Sequence, residues 1–246
     1  MLKKIKMDKL KKTARLFVIT LIITTLFSCD NNEAKITFNV IGDVFITKRY
    51  IGDEEQFAVV YYAYGNQIMS SATVTPQGGD VIELEPMDAS NRTYGIQPDF
   101  ANFSPEFPET ATFDFKVVSE GIEFSSSDIL LFDNLEIPVV TNAEFNTINE
   151  TVMVEWESVD EAQSYIIKMT KDNGDILFVG QLLGDLATSY EIDPSLGSWL
   201  EVPQYGTSYN VEVHAYLYDP EAGYSDYMYH IQENSVGSLP ITWGEQ

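Results

Sequence analysis

Few side chains in this chain of 246 residues could perform covalent or acid–base chemistry. There is one thiol, Cys29, and there are two imidazoles, His214 and His230. A single thiol cannot close an internal disulfide, and two histidines cannot build a three-histidine zinc site. No His-Glu-x-x-His pair, Gly-x-Ser-x-Gly elbow or glycine-rich phosphate loop is present. Carboxylates abound, with 38 Asp and Glu, so counting alone does not exclude a pair suited to glycoside hydrolysis. No spacing singles one out. His214 alternates out of phase with Val211 and Val213 and is expected at a surface. The residue types favour recognition over catalysis, with no cofactor, no catalytic residue and no metal site expected.

The thiol is placed by what surrounds it. Residues 1–15 carry Lys3, Lys4, Lys6, Lys9, Lys11, Lys12 and Arg15 against one acid, Asp8, and Leu16 to Phe27 is apolar except for threonines. A basic segment followed by a short apolar one is the pattern of a secretory signal. About a dozen apolar residues fall short of the roughly 20 needed to span a bilayer. Leu26-Phe27-Ser28-Cys29 resembles the lipobox of bacterial lipoproteins, with an aliphatic residue at −3, a small one at −1, then cysteine. Phe27 departs from the small or aliphatic residue usual at −2. The resemblance implies cleavage after Ser28, acylation of Cys29 by palmitate-like chains, and anchoring to the outer membrane, with display at the cell surface. Asp30-Asn31-Asn32-Glu33 is either a surface-export signal, which such acidic clusters resemble in some outer-membrane lipoproteins, or a solvated tether.

Without the leader, residues 29–246 hold seven Lys and Arg against 37 Asp and Glu, a net charge of −30. That balance excludes nucleic acid as a partner, because a phosphate backbone needs clustered bases. It also argues against adsorption to an anionic bilayer through a basic face. The membrane contact expected is the lipid anchor alone. The remaining 218 positions suffice for two domains of about 100 residues each.

Short alternating runs between turn signals predict an all-β chain of two tandem β-sandwich domains. The expected division is a signal peptide at 1–28, an acidic tether at 29–35, sandwiches at 36–135 and 136–235, and a C-terminal tail at 236–246. The tail either hangs loose or docks Trp243 as a final strand. In the first domain, strands are expected at 35–40, 44–50 and 56–64, the last apolar on both faces and therefore central or covered. Thr110 to Val118 points Phe113, Phe115 and Val117 inward. Residues 97–109 contain Pro98, Pro105 and Pro108, which marks a loop that either binds something or crosses between sheets. Ala72-Thr73-Val74 before a Pro-Gly turn, and Phe113 to Val118 ahead of Gly121, look like parts of an immunoglobulin-like or PKD-like sandwich.

In the second domain Val152, Val154 and Trp156 share a face, and Lys171-Asp172-Asn173-Gly174-Asp175 carries the Asn-Gly hairpin signal. That turn also brings hard oxygens together, but it lacks the ligand number and the closing Glu of an EF-hand loop. Trp156, Ala162-Gln163-Ser164-Tyr165 and the run Gly206-Thr207-Ser208-Tyr209-Asn210-Val211-Glu212-Val213-His214-Ala215 resemble the conserved strands of a fibronectin type III domain. The resemblance implies that Trp156 fills the space between the sheets, that Tyr165 marks the opening of the next strand, and that Tyr209 ties a connection to backbone through its hydroxyl. It implies nothing specific about function. Tyr216, Tyr218, Tyr224, Tyr227 and Tyr229 fall together near the end of the chain. Of these, Tyr216, Tyr218, Tyr227 and Tyr229 are candidate stacking residues for sugar rings if exposed, and core residues if not. The expected function is a lipid-anchored envelope protein that binds or adheres, as an accessory subunit of an outer-membrane assembly, to a protein or glycan partner. A carbohydrate-binding component of a glycan-uptake system is the alternative, and a glycoside hydrolase the outside one.

Overall fold

In the computed structural model, residues 37–195, 199–220, 222 and 229–244 are described. The leader, Ser28, Cys29, the acidic tether to Ile36, and Tyr227 lie outside the described residues. Residues from Phe38 onward form one compact unit.

Seven strands build the first half: β1 (Val40–Ile51), β2 (Glu54–Gly65), β3 (Ser71–Pro76), β4 (Ile82–Pro86), β5 (Thr93–Ile96), β6 (Thr112–Ser119) and β7 (Ile122–Ile129). In β6, Thr-Phe-Asp-Phe-Lys-Val-Val-Ser alternates, and Phe113, Phe115 and Val117 are buried while Asp114 and Lys116 are exposed. The β6–β7 hairpin closes over two residues with positive φ, Glu120 and Gly121. Two such residues match the twist of the strands they join. The apolar faces of β1 and β2 close on those of β3 and β6 around Val44, Ile46, Ala63, Val74, Phe115 and Val117. Gly42 has no room for a Cβ, which would lie 2.2 Å from the Phe115 ring.

Eight strands build the second half: β8 (Val140–Asn146), β9 (Thr151–Trp156), β10 (Ser164–Thr170), β11 (Ile176–Val179), β12 (Leu183–Gly184), β13 (Ser189–Ile192), β14 (Ser208–Tyr218) and β15 (Ile231–Thr242). A three-stranded sheet, β13-β9-β8, faces the run β11-β10-β14-β15. Trp156, Tyr165, Ile167, Val211 and Val213 fill the space between them. The Tyr165 hydroxyl accepts from Val159 N at 2.9 Å, and the Tyr209 hydroxyl accepts from Gln204 N at 2.9 Å. The arrangement is a fibronectin type III-like β-sandwich.

β15 joins the halves. It runs antiparallel to β14 along its length, and its residues 233–236 pair in parallel with Ile46–Arg49 of β1. The front sheets thereby become continuous, in the order β11-β10-β14-β15-β1-β2-β5. Residues 236–242, expected as a tail or a docked strand, are the second half of β15, and Trp243 packs edge-on against Phe145 and Trp199. Behind the seam, Lys48 meets Glu233 at 3.5 Å, both side chains almost fully buried, and Ser235 Oγ donates to Glu136 O at 2.7 Å.

Candidate functional site

Alternation sends one set of side chains behind this continuous sheet into the two cores and the other set forward. Forward from β1 come Asp43, Phe45, Thr47 and Arg49; from β2, Val60, Tyr62 and Tyr64; from β14, Glu212, His214 and Tyr216. Lys168 and Thr170 project from β10, and Asn234 and Val236 from β15. Most of these line a groove of about 350 Å³. Two irregular segments rise over it. One is the proline-bearing loop, through Gln97, Pro98, Asp99, Phe100 and Phe103, and the other is the Asn173–Ile176 hairpin. The loop is pinned at its far end by paired backbone bonds between Phe57 and Ser104. It reaches the hairpin at Phe100, whose ring lies near Gly174 and under the Arg49 guanidinium, 4.9 Å from the ring centre.

Polar groups form a chain across the floor. Arg49 donates to Glu212 at 2.5 Å, and Glu212 lies 3.1 Å from His214 Nε2. Asn234 Nδ2 is 3.3 Å from both His214 Nδ1 and Thr47 Oγ1. The consistent reading is a neutral imidazole that donates from Nε2 to the carboxylate and accepts at Nδ1 from the amide. Burial, with Lys168 and Arg49 nearby, lowers the His214 pKa to about 4, against the pull of Glu212. Burial alone would raise Glu212, but His214 and Arg49 hold its carboxyl well below the usual range. Glu212 therefore has no proton to give at neutral pH. Asn234 Oδ1 is left without a hydrogen-bond partner.

Aromatic rings make the walls. His214, Tyr216 and Tyr218 stack in a row at 6.2 and 6.3 Å, nearly parallel, along β14. Phe45, Tyr62 and Tyr64 form a second row, at 6.0 and 5.5 Å. Gln97 Nε2 donates to the Tyr62 hydroxyl. Gly95 sits under Tyr62, where a Cβ would fall 2.6 Å from the ring. Any other residue there would lift the ring.

One sequence expectation needs correction, and one pair of alternatives is decided in part. His214 is not a surface residue; it is 6% exposed. Alternation placed it correctly on the face opposite Val211 and Val213, but the loop and the hairpin cover that face. Of the candidate stacking tyrosines, two take the core alternative. Tyr216 and Tyr218 are buried, the first lining the groove and the second bonded to Ser164 Oγ at 2.6 Å. Tyr229 precedes β15 rather than lying on it, is 37% exposed, and meets Tyr64 edge-on at 4.8 Å. Sequence reading missed Arg49, Lys168, Glu212 and Asn234. The one signal was Lys168, a lone charge inside the apolar strand Ser-Tyr-Ile-Ile-Lys-Met-Thr.

An acidic corner closes one end of the forward face. Asp43 is fully buried, accepts from Ile231 N at 3.2 Å through Oδ1, and has no partner for Oδ2. Burial, then Asp128 and Asp219, push its carboxyl well above the usual value. Burial and Asp128 raise Asp219 to about 6, while His230, 4.0 Å away, pulls the other way. Among the described residues no group of three or more His, Cys, Asp and Glu is arranged to hold a metal ion.

A raised carboxyl binds its proton more tightly in the folded state. Its stabilising contribution is complete below the unfolded value near 4 and is lost as pH rises through about 6. His214 acts oppositely, since its contribution is lost as pH falls from about 6.5 towards 4. Asp219→Asn should therefore flatten the high-pH side of the stability curve. Its melting temperature relative to the wild type should rise between pH 4 and 7, and thermal melts across that range check it. A constant difference between the two proteins would contradict the assignment.

No family model and no curated protein matches the sequence. Among solved structures, a segment of two fibronectin type III domains from chicken tenascin is similar at 12% identity, covering 79% of this chain and 97% of that one, with a TM-score of 0.27. A tetra-tandem repeat from the extending region of a large adhesion protein is similar at 14% identity, covering 82% of this chain and 49% of that one, with a TM-score of 0.28.

Proposed function

We propose that the protein is a non-catalytic binding protein of the cell envelope, anchored by acyl chains on Cys29, that holds a small polar ligand in the groove over its continuous front sheet. One observation carries the reading. The groove is a concave, half-covered space of about 350 Å³, of the size usual for small-ligand sites, where aromatic walls meet a few convergent polar groups. An accessory role in an outer-membrane assembly, with the ligand presented to a partner, fits this architecture.

Catalysis fits it less well. Glu212 is held by Arg49 and His214, and Asp99 and Asp175 stand exposed at the rim. None is paired with a nucleophile or base in the manner acyl or glycosyl transfer requires.

The ring rows favour a glycan as the ligand. A pyranose offers an apolar CH face to an aromatic ring and a rim of hydroxyls that both donate and accept. Tyrosine rings, the amides of Gln97 and Asn173, and the rim carboxylates meet both needs.

Two measurements test the proposal. Cys29→Ala should release the protein from the membrane fraction almost completely, because one or two acyl chains supply the attachment and no basic face replaces them. Full membrane retention of that variant would refute the anchor. A glycan array probed with the chain from Asp30 onward should retain a small set of related structures, whereas uniform failure to bind would refute the glycan reading.

A further inference from the structure

We infer that the groove takes a saccharide bearing a carboxylate, with the acid group seated against Lys168. The inference rests on the glycan reading above and names the ligand's charge.

The chain has 38 acids and 14 bases, and three of its four described lysines have a carboxylate within ion-pair distance. Lys48 meets Glu55 and Glu233, Lys116 meets Glu123, and Lys171 meets Glu201. Lys168 alone among the described lysines has no carboxylate within ion-pair distance and no hydrogen-bond acceptor. Its nearest candidate is Glu212, the residue opposite it on β14. That carboxylate is already engaged by Arg49 on one oxygen and His214 on the other. Lys168 is thus half-buried in the groove, within the field of Glu212 but with no ion pair of its own, beside a second cation, Arg49.

Desolvation lowers the Lys168 pKa; Glu212 pulls it back up, and Arg49 adds to the lowering. An unpaired, desolvated ammonium is unfavourable unless something completes it. Nearby, Asn234 is 7% exposed with Oδ1 unpartnered. Two polar groups on one floor therefore lack partners among the described residues. A ligand carboxylate would complete Lys168 with a charge-assisted bond.

The chemistry excludes neighbouring classes of ligand. A phosphate dianion needs more cationic donors than one lysine, in a groove that also holds Glu212, Asp99 and Asp175. A small aromatic acid would satisfy Lys168 but leave the amides and acids of the rim unused. A uronic acid uses both ends, with its ring against tyrosine, its hydroxyls on the rim and its carboxylate on the lysine.

Isothermal titration of the full-length chain in detergent tests this. The probes are uronate-containing di- and trisaccharides and the same sugars after reduction of the carboxyl group to CH2OH. At least one uronate should bind about tenfold or more tightly than its reduced form, and added salt should narrow the gap. Lys168→Met should bring that uronate down to the level at which the same variant binds its reduced form. Lys168→Arg should keep a preference for the acid, and melting curves of both variants confirm folding. Equal binding of acid and reduced sugars, or a preference that survives Lys168→Met, would overturn the carboxylate assignment while leaving the glycan reading intact. Binding of neither form would overturn both.

Discussion

Lys48→Met should destabilise the protein by about 3–5 kcal/mol, the cost of leaving one partner of a buried ion pair alone. Lys48 lies behind the seam where β15 pairs with β1. Its Nζ is 3.5 Å from Glu233 Oε1, 3.4 Å from Glu55 and 3.2 Å from Asn134 Oδ1. The Glu233 side chain is 0% exposed, and Oε1 has no hydrogen bond in addition to this contact. Burial raises the Glu233 carboxyl, and Lys48 is among the groups that hold it down. Without the lysine, Glu233 must stay charged in an apolar junction or take up a proton. The pair itself need not be strongly stabilising, since replacing both partners by apolar residues is often neutral. Lys48→Met combined with Glu233→Leu should therefore recover most of the loss, giving a large coupling in a double-mutant cycle measured by urea unfolding. Additive losses would show that the two charges do not depend on each other.

The second large effect is steric. A Cβ on Gly237 would lie 1.9 Å from the Pro138 carbonyl oxygen and 3.2 Å from Pro138 Cβ. The nearest obstacle is backbone, so it cannot rotate aside as a flexible side chain would. The segment carrying it is held by the Ser235–Glu136 bond and by Leu135, which is buried in the second core. Gly237→Ala should therefore force the connection between the halves off β15. The expected loss is about 3 kcal/mol, the upper end for overpacking. Gly184→Ala is the matched control, because nothing lies within 4 Å of where its Cβ would sit; it should change the urea midpoint little. Similar midpoints for both variants would remove the argument from close approach.

Local pattern carried much of the architecture into view. Phe113, Phe115 and Val117 read as one face of a strand, as do Val152, Val154 and Trp156, and both sets are buried. Trp156, Tyr165 and Tyr209 are buried in the second core. The two strand faces need only period-two alternation and nearby turn residues, whereas Tyr165 and Tyr209 are singled out by the resemblance to a fibronectin type III domain.

The front face was not legible for a different reason. Which strand lies beside β1 depends on pairing Ile46 with Glu233, residues far apart in the chain. No local signal fixes such a parallel contact. Because the join was invisible, His214 read as a surface residue, and 236–246 as a candidate tail. The proline-bearing loop was seen as a loop, but nothing in its own sequence says that it folds over β14. Arg49, Lys168 and Asn234 lie on three different strands from two halves. Their meeting is a product of the fused sheet.

The claim that this groove is the ligand site is tested most directly by filling it. Asn173 stands exposed on the hairpin at the groove's rim, where a larger side chain can be carried without disturbing either core. Asn173→Trp should melt as the wild type does yet lose the glycan-array signal of the wild-type chain. A tryptophan variant that binds the same glycans with undiminished signal would contradict the account.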